Sequence, residues 1–252
     1  MKKVLSPTAL SYLTLGLSGI GLALRAWLYG TGLDNKGLLI SGHPAQLLVW
    51  LLAAAAVAIL VLQCRRTQKG GRYSDNFPPS LPAFIGSCLA AVGIFFTVLT
   101  KLLDRPDLLN VITGMVGVLC FPALIVAGYN RWKGTRPSFL LHVLVCIFFA
   151  LRLFCQYRAW SSNPQLQNYC FQLLACVCLM LTAYQRAAFD VNMGNRPFFL
   201  FLSLASVFFC CLSLPSGEEK LFYLTVGIWA FTNLCAPTIP EQEETHEHHD
   251  PA

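Results

Sequence analysis

Charged residues are scarce in this chain. Only 12% of its 252 residues are Asp, Glu, Lys or Arg, whereas 56% are hydrophobic, and the mean hydropathy is +0.58. A water-soluble globule of this size needs far more polar side chains to cover its surface. The composition therefore excludes an ordinary soluble domain and predicts a chain that lies in a lipid bilayer.

The sequence also lacks the short motifs of common catalytic and metal sites. It contains no HExxH, no Gly-x-Ser-x-Gly and no phosphate-binding P-loop. The eleven cysteines form no CxxC pair, and all but Cys64 lie in apolar runs, so we interpret them as small hydrophobic residues. We expect a non-enzymatic protein without a cofactor or a bound metal. A catalytic site assembled from residues that no linear motif shows remains the alternative.

Acidic side chains are missing from the interior of the apolar runs. All twelve fall in predicted loops, at helix ends or in the C-terminal tail. Carriers driven by protons or sodium usually keep a buried carboxylate for the coupling ion, so this pattern disfavours such a mechanism. His142, near one end of the fifth run, could titrate instead, but we expect it to bond to a neighbouring helix.

Eight apolar runs have about the length of 17 to 25 residues that crosses the hydrocarbon of a bilayer. The first run could be a signal peptide, but Arg25 stands where a small-residue cleavage site is needed, so we interpret it as a helix. The sequence predicts an all-α, polytopic integral membrane bundle over residues 1–240. Its predicted spans are 7–28, 44–63, 82–101, 107–129, 137–158, 165–187, 197–214 and 219–236.

One motif occurs twice, each time between two apolar runs. The copies are Tyr129-Asn130-Arg131 with Gly134 and Arg136-Pro137, and Tyr184-Gln185-Arg186 with Gly194 and Arg196-Pro197. Tyrosine and arginine are typical of a helix that leaves the bilayer through the headgroups, glycine ends the helix, and proline begins the next one at its first turn. The motif predicts repeated helical hairpins, of which the loop from Cys64 to Pro82 would be a third, degenerate copy.

Basic residues divide unequally between the two sides of the predicted bundle. Eleven of the eighteen Lys and Arg lie on the side of the N-terminus and five on the other side. The positive-inside rule then makes both termini cytoplasmic, which agrees with an even number of helices. Topology also explains the net charge of +6 better than a nucleic-acid partner does. We expect a multi-pass protein of the cytoplasmic membrane of a bacterium, with the lipid bilayer as its first partner.

The last twelve residues differ from the rest of the chain. Residues 241–252 are polar and acidic and contain three histidines, so we predict a disordered cytoplasmic tail. Imidazoles and carboxylates together can chelate a divalent metal, which remains the alternative for this tail.

Several polar side chains fall in the outer halves of the predicted helices. Arg152 lies about 9 Å below the outer end of the fifth run, with Gln156 one turn further along. Such groups are costly in a membrane and mark a function unless they reach the headgroups. We predict an outward-facing cationic pocket for an anionic or zwitterionic small molecule or lipid headgroup. Its candidate ligand-binding residues are Arg25, Asn110, Arg152, Gln156, Tyr169 and Gln172.

Two functions fit this pattern. The first is a permease-like or solute- or lipid-binding membrane component that uses the outer cationic layer. The second is a membrane-embedded sensor or accessory subunit, whose basic inner loops and acidic tail contact a protein partner. For the pocket itself, the alternative is that Arg25 and Arg152 reach outer phosphates while the amides only bridge neighbouring helices.

Overall fold

The computed structural model describes residues 7–32, 39, 43–67, 70–104, 107–161, 169–216 and 219–234. Within these ranges the chain forms nine α-helices and no β-strand. The helices are α1 (Pro7–Thr31), α2 (Pro44–Cys64), α3 (Tyr73–Asn76), α4 (Leu81–Asp104), α5 (Leu108–Trp132), α6 (Phe139–Trp160), α7 (Cys170–Asp190), α8 (Arg196–Ser213) and α9 (Lys220–Leu234).

In the part of the chain that the structure describes, seven helices are long and apolar enough to cross a membrane: α1, α2 and α4 to α8. The prediction of an all-helical, multi-pass membrane protein is therefore confirmed. The eighth predicted span, 219–236, corresponds to α9, which has 15 described residues and so falls short of the about 20 that a span needs. The count of eight and the orientation of the termini stay predictions. The tail 241–252 lies outside the described residues.

In the two copies of the repeated motif, the helix ends with a different residue in the left-handed conformation. Gly134 takes a left-handed conformation, φ 72°, directly after α5, as expected for a glycine that ends a helix. After α7 this conformation belongs to Asn192, φ 59°, rather than to Gly194. Pro197 occupies the first turn of α8 as predicted, but Pro137 lies two residues before α6 and outside it. The two copies therefore differ in detail, and the repeat stays a prediction.

Six helices form a closed ring. Each helix from α4 to α9 packs against the next one, and α9 packs against α4. Helices α1 and α2 lie outside the ring, where they pack against each other and against α8. Helix α8 is accordingly the most buried candidate span and α2 the least. In α8, 72% of the most apolar stretch is buried inside the protein, and in α2 only 28% is. The ring provides an interior in which polar side chains can be kept away from lipid.

Helices α4 and α9 approach closely because glycine on α4 faces threonine on α9. A Cβ atom at Gly93 would lie 2.8 Å from Cβ of Thr225, and one at Gly86 would lie 3.0 Å from Cβ of Thr232. Small residues at such contacts let helix backbones pack tightly in a membrane.

Gly93→Ala should therefore lower the free energy of unfolding in mild detergent by about 1 to 3 kcal/mol, because the added methyl group overpacks the contact with Thr225. Gly19→Ala on α1 is the matched control, since nothing lies within 4 Å of the added Cβ. Equal stability of the two variants would show that α4 and α9 do not pack as described.

Candidate functional site

Charged side chains meet at both ends of the ring. We call the end with the loops from α2 to α4, from α5 to α6 and from α7 to α8 the inner end, following the predicted orientation. The opposite end is the outer end. Among the described residues, each end contains a group of ionisable side chains of which several are buried, and only part of the outer group was predicted from the sequence.

Glu219 is the centre of the polar group at the outer end. Its carboxylate pairs with Arg152 of α6 and with Lys101 of α4, whose Nζ lies 2.5 Å from Oε1. Gln156 of α6 donates a further hydrogen bond to this carboxylate over 3.3 Å. Because Glu219 directly precedes α9, one side chain ties three helices together. Its backbone is left-handed, φ 53°, which costs a non-glycine residue about 1 to 2 kcal/mol.

The surroundings of Arg152 are largely dry. The residue is 3% exposed, and its guanidinium carbon lies 3.6 Å from the ring centre of Phe222. Arg152 therefore neutralises a carboxylate of the protein instead of reaching the headgroups. Gln156 donates a hydrogen bond to the hydroxyl of Tyr223 over 3.0 Å and accepts one from the thiol of Cys176 over 3.1 Å. We define the outer cluster as Lys101, Arg152, Gln156, Cys176, Glu219 and Tyr223.

Three of the six predicted ligand-binding residues lie together. Arg152 and Gln156 converge on Glu219, and Asn110 lines a cavity of about 20 Å³ beside Arg152 and Lys101. A cavity of that size holds about one water molecule. The outer cluster is thus closed in this conformation and has no room for a solute.

The other three predicted residues make separate contacts. Arg25 is buried on α1, with its guanidinium carbon 4.7 Å from the ring centre of Phe171. Gln172 donates a hydrogen bond to the hydroxyl of Ser216 over 2.6 Å. Tyr169 stacks on the tryptophan that ends α6, with 4.3 Å between ring centres. These residues surround the outer end without touching the carboxylate at its centre.

Two arginines of the repeated motif meet at the inner end. Arg131 lies at the end of α5 and Arg186 in the last turns of α7, and each is 2% exposed. Their guanidinium carbons lie 5.1 and 3.8 Å from the ring centre of Phe77, so the two positive charges repel each other. Arg131 also donates a hydrogen bond to the side chain of Asn233 on α9.

A histidine–aspartate pair completes this group. Nδ1 of His142 lies 2.6 Å from Oδ2 of Asp190, and the two side chains are 3% and 0% exposed. The prediction that His142 bonds to a neighbouring helix is confirmed, since α6 carries His142 and α7 carries Asp190. The positive charges of both arginines act on His142, which places all four groups in one electrostatic environment. We define the inner cluster as Arg131, His142, Arg186, Asp190 and Asn233.

The expectation that both the tyrosines and the arginines of the motif face the headgroups is wrong for Arg131 and Arg186. Tyr129 and Tyr184 are 40% and 56% exposed, whereas these two arginines are buried. Residues two positions apart in an α-helix point about 200° away from each other. When the tyrosine faces lipid, the arginine therefore faces the protein. The spacing Tyr-x-Arg in the sequence therefore indicates that the arginine is buried when the tyrosine faces lipid.

The second arginines of the motif behave differently from each other. Arg136 is exposed in the loop before α6, whereas Arg196, the first residue of α8, is 8% exposed. Pro137 and Pro197, which follow them, are both largely shielded. The two copies of the motif therefore agree in burying their first arginine, Arg131 or Arg186, but not their second.

The short helix α3 and the residue after it close the inner end. Phe77 packs edge-on against Phe189 and Phe199, with ring centres 5.1 and 5.3 Å away. The backbone N–H of Tyr73 donates a hydrogen bond to Oδ1 of Asn192 over 3.0 Å. This segment lies in the loop from Cys64 to Pro82, the predicted third copy of the hairpin, and its Phe77 supplies the ring that both buried arginines contact.

The sequence did not reveal that two carboxylates belong to these clusters, Asp190 as a buried group and Glu219 as a partly buried one. Asp190 is the last residue of a candidate span because α7 continues three residues past its predicted end at 187, through the apolar residues Ala188 and Phe189. Glu219 begins the last helical segment and turns inward to Arg152, leaving its side chain 17% exposed. Asp190 lies one turn after Arg186, which is the spacing of a helical ion pair. The absence of a buried carboxylate is therefore no longer an argument against ion coupling.

An apolar layer separates the two clusters. Phe148 and Phe149 of α6 pack at 5.6 Å between ring centres, and Phe149 lies 6.2 Å from Phe222 of α9. His142 is buried in the first turn of α6, and Arg152 is buried ten residues or roughly 15 Å further along the same helix. The ring thus contains a polar group at each end and aromatic side chains between them.

Among the described residues, no three His, Cys, Asp or Glu side chains are grouped so that they could hold a metal ion. No family model, curated protein or solved structure matches the chain. The fold and the two clusters therefore define the class: a multi-pass helical membrane protein with ionisable side chains buried between its helices.

Proposed function

We propose that the protein is a non-enzymatic, permease-like membrane component that binds or passes a small anionic or zwitterionic solute through the ring of α4 to α9. The observation that supports this role is the order of side chains along the ring: outer cluster, aromatic layer, inner cluster. A helical bundle that only needed to be stable would have little reason to bury so many charges, because each is expensive to remove from water.

Glu219 is the proposed outer gate. Its contacts to α4 and α6 close the outer end, and its left-handed backbone stores strain at the point where α9 begins. Strained residues of this kind often lie at sites that change conformation. If the Glu219 carboxylate moved away from Arg152, the guanidinium group of Arg152 could bind an anion that enters from the outer side. This is the role that the predicted outward-facing pocket gives to Arg152.

Native cysteines offer a test of water access to the outer cluster. Cys155 lines the same small cavity as Arg152 and lies 3.3 Å from the hydroxyl of Thr113. A charged, membrane-impermeant thiol reagent applied from the outer side of sealed vesicles should label Cys155, because a permease must let water reach this point. Mass spectrometry of the digested protein identifies the labelled residue.

Other cysteines of the same chain act as controls. Cys170, the first residue of α7, should be labelled quickly from the outer side, and Cys146, in the half of α6 nearer the inner end, should not be labelled at all. Labelling of Cys170 without Cys155 would mean that the outer cluster stays dry. That outcome would remove the main support for the permease role and favour the sensor or accessory subunit.

A further inference from the structure

We propose that the inner cluster is a binding site for a phosphate group, held between Arg131 and Arg186. This site lies at the end of the bundle opposite to the predicted pocket, and its assignment does not rest on the proposed transport role.

The first observation is a set of buried guanidinium nitrogens without partners. Nε and Nη2 of Arg131, and Nε and Nη1 of Arg186, have no hydrogen-bond partner among the described residues. Both side chains are 2% exposed. A buried N–H group without an acceptor costs about 1 to 3 kcal/mol, and more when it is charged, so four such nitrogens require an acceptor that the described protein does not supply.

The second observation is an excess of positive charge. Two arginines share this site with one carboxylate, Asp190, which already bonds to His142. With a neutral imidazole the cluster therefore keeps one uncompensated positive charge. Both guanidinium groups lie against the ring of Phe77, so their like charges repel each other, and an anion near both would offset this repulsion.

The chemistry of the donors selects an oxyanion. Guanidinium groups present planar pairs of N–H donors that match the oxygens of phosphate or carboxylate. The buried hydroxyl group of Tyr73 also lacks a hydrogen-bond partner among the described residues. The ring centre of Tyr73 lies 5.8 Å from the guanidinium carbon of Arg186. A tetrahedral phosphate has enough oxygens to accept from two arginines and a hydroxyl at once.

Asp190 indicates which kind of oxyanion the site prefers. Its second oxygen, Oδ1, is buried and has no hydrogen-bond donor among the described residues. A hydrogen phosphate or a phosphate monoester carries a proton that it can donate to this oxygen, whereas sulfate at neutral pH does not. The site should therefore prefer phosphate to sulfate, although both anions have the same shape.

Access to the site runs past α3. Phe77 lies against both guanidinium groups, and the segment is attached through the hydrogen bond from Tyr73 to Asn192. Because α3 is not one of the ring helices α4 to α9, its displacement would uncover the two guanidinium groups without separating the helices of the ring.

The test is thermal unfolding of the full-length protein in mild detergent, titrated with sodium phosphate or sodium sulfate at constant ionic strength and neutral pH. Phosphate should raise the unfolding midpoint in a saturable way, and sulfate should need a concentration at least about tenfold higher for the same shift, because one hydrogen bond to a charged group is lost. Native mass spectrometry of the same preparation shows whether a phospholipid is retained instead.

Substitutions locate the response. Arg131→Lys and Arg186→Lys keep the charge but lose the planar pair of donors, so each should weaken the apparent phosphate affinity by about 10- to 100-fold. Arg136→Lys changes an exposed arginine of the same motif and should have no effect. If the lysine variants do not fold, the wild-type comparison of phosphate with sulfate still decides.

Three results have defined meanings. Phosphate stabilisation that the lysine variants lose supports the site and a soluble phosphate. A phospholipid that the wild type retains and the lysine variants lose supports the site and assigns the phosphate group to a lipid. No response of the wild type to phosphate together with no bound phospholipid, or the same response in all variants, overturns the proposal.

Discussion

Glu219→Gln should lower the free energy of unfolding by about 3 to 5 kcal/mol, the loss expected when one partner of a buried ion pair is removed. Arg152 would keep its charge at 3% exposure and lose the carboxylate that neutralises it, while Lys101 would lose its ion pair with Glu219. Glutamine preserves the size of the side chain, so the effect reports charge rather than packing. Unfolding in mild detergent, followed by tryptophan fluorescence, measures it.

An exposed ion pair at the same end of the bundle is the matched control. Asp107 and Arg158 lie 3.3 Å apart with side chains 52% and 61% exposed, so Asp107→Asn should change stability by no more than about 1 kcal/mol. A second test removes both charges of the Arg152–Glu219 pair. The double variant Arg152→Leu, Glu219→Gln should be more stable than Glu219→Gln alone, because the buried guanidinium that Glu219→Gln leaves uncompensated is then gone. Additive losses would mean that the two residues do not form the pair described.

The same variant connects stability to the proposed function. If Glu219 closes the outer end, Glu219→Gln should increase the rate at which an impermeant reagent labels Cys155. Labelling that rises while Cys146 stays unlabelled would indicate local opening of the outer cluster. Labelling of both cysteines would indicate that the bundle as a whole has loosened.

Asp190→Ala should be the second large loss, again about 3 to 5 kcal/mol, measured in the same unfolding experiment. The carboxylate is fully buried, bonds to His142 and is the only acidic group of the inner cluster, so its removal leaves Arg131 and Arg186 without compensation. Because two positive charges would remain in a dry site, we expect expression in the membrane to fall together with stability.

Two further variants separate the causes. Asp190→Asn keeps an oxygen that can accept from His142 and removes only the charge, so a loss close to that of Asp190→Ala would assign the effect to electrostatics. Asp75→Ala, on the exposed surface of α3, should change little. Near wild-type stability of Asp190→Ala would contradict the placement of this carboxylate in the inner cluster.

The Tyr-x-Arg motif illustrates what could be anticipated and what could not. Its repetition and its place at helix ends are visible in the sequence, and the spacing implies that the tyrosine and the arginine point in opposite directions. That Arg131 and Arg186 meet on one ring is not visible, because Phe77 lies 54 positions before the first and 109 before the second. The local periodicity of a sequence shows which way a side chain points from its own helix, but it does not show which residue of another segment that side chain contacts.

The amino-acid sequence by itself determined that this protein is a helical, multi-pass membrane protein, and it placed seven of the helices to within a few residues. The reason is that crossing a bilayer depends on the length and hydrophobicity of a continuous run, both of which are local properties. Only the tertiary structure decided which charges are buried and what compensates them. Arg152 meets Glu219 across 67 positions and His142 meets Asp190 across 48, because the ring of helices, and not the order of residues, brings these groups together.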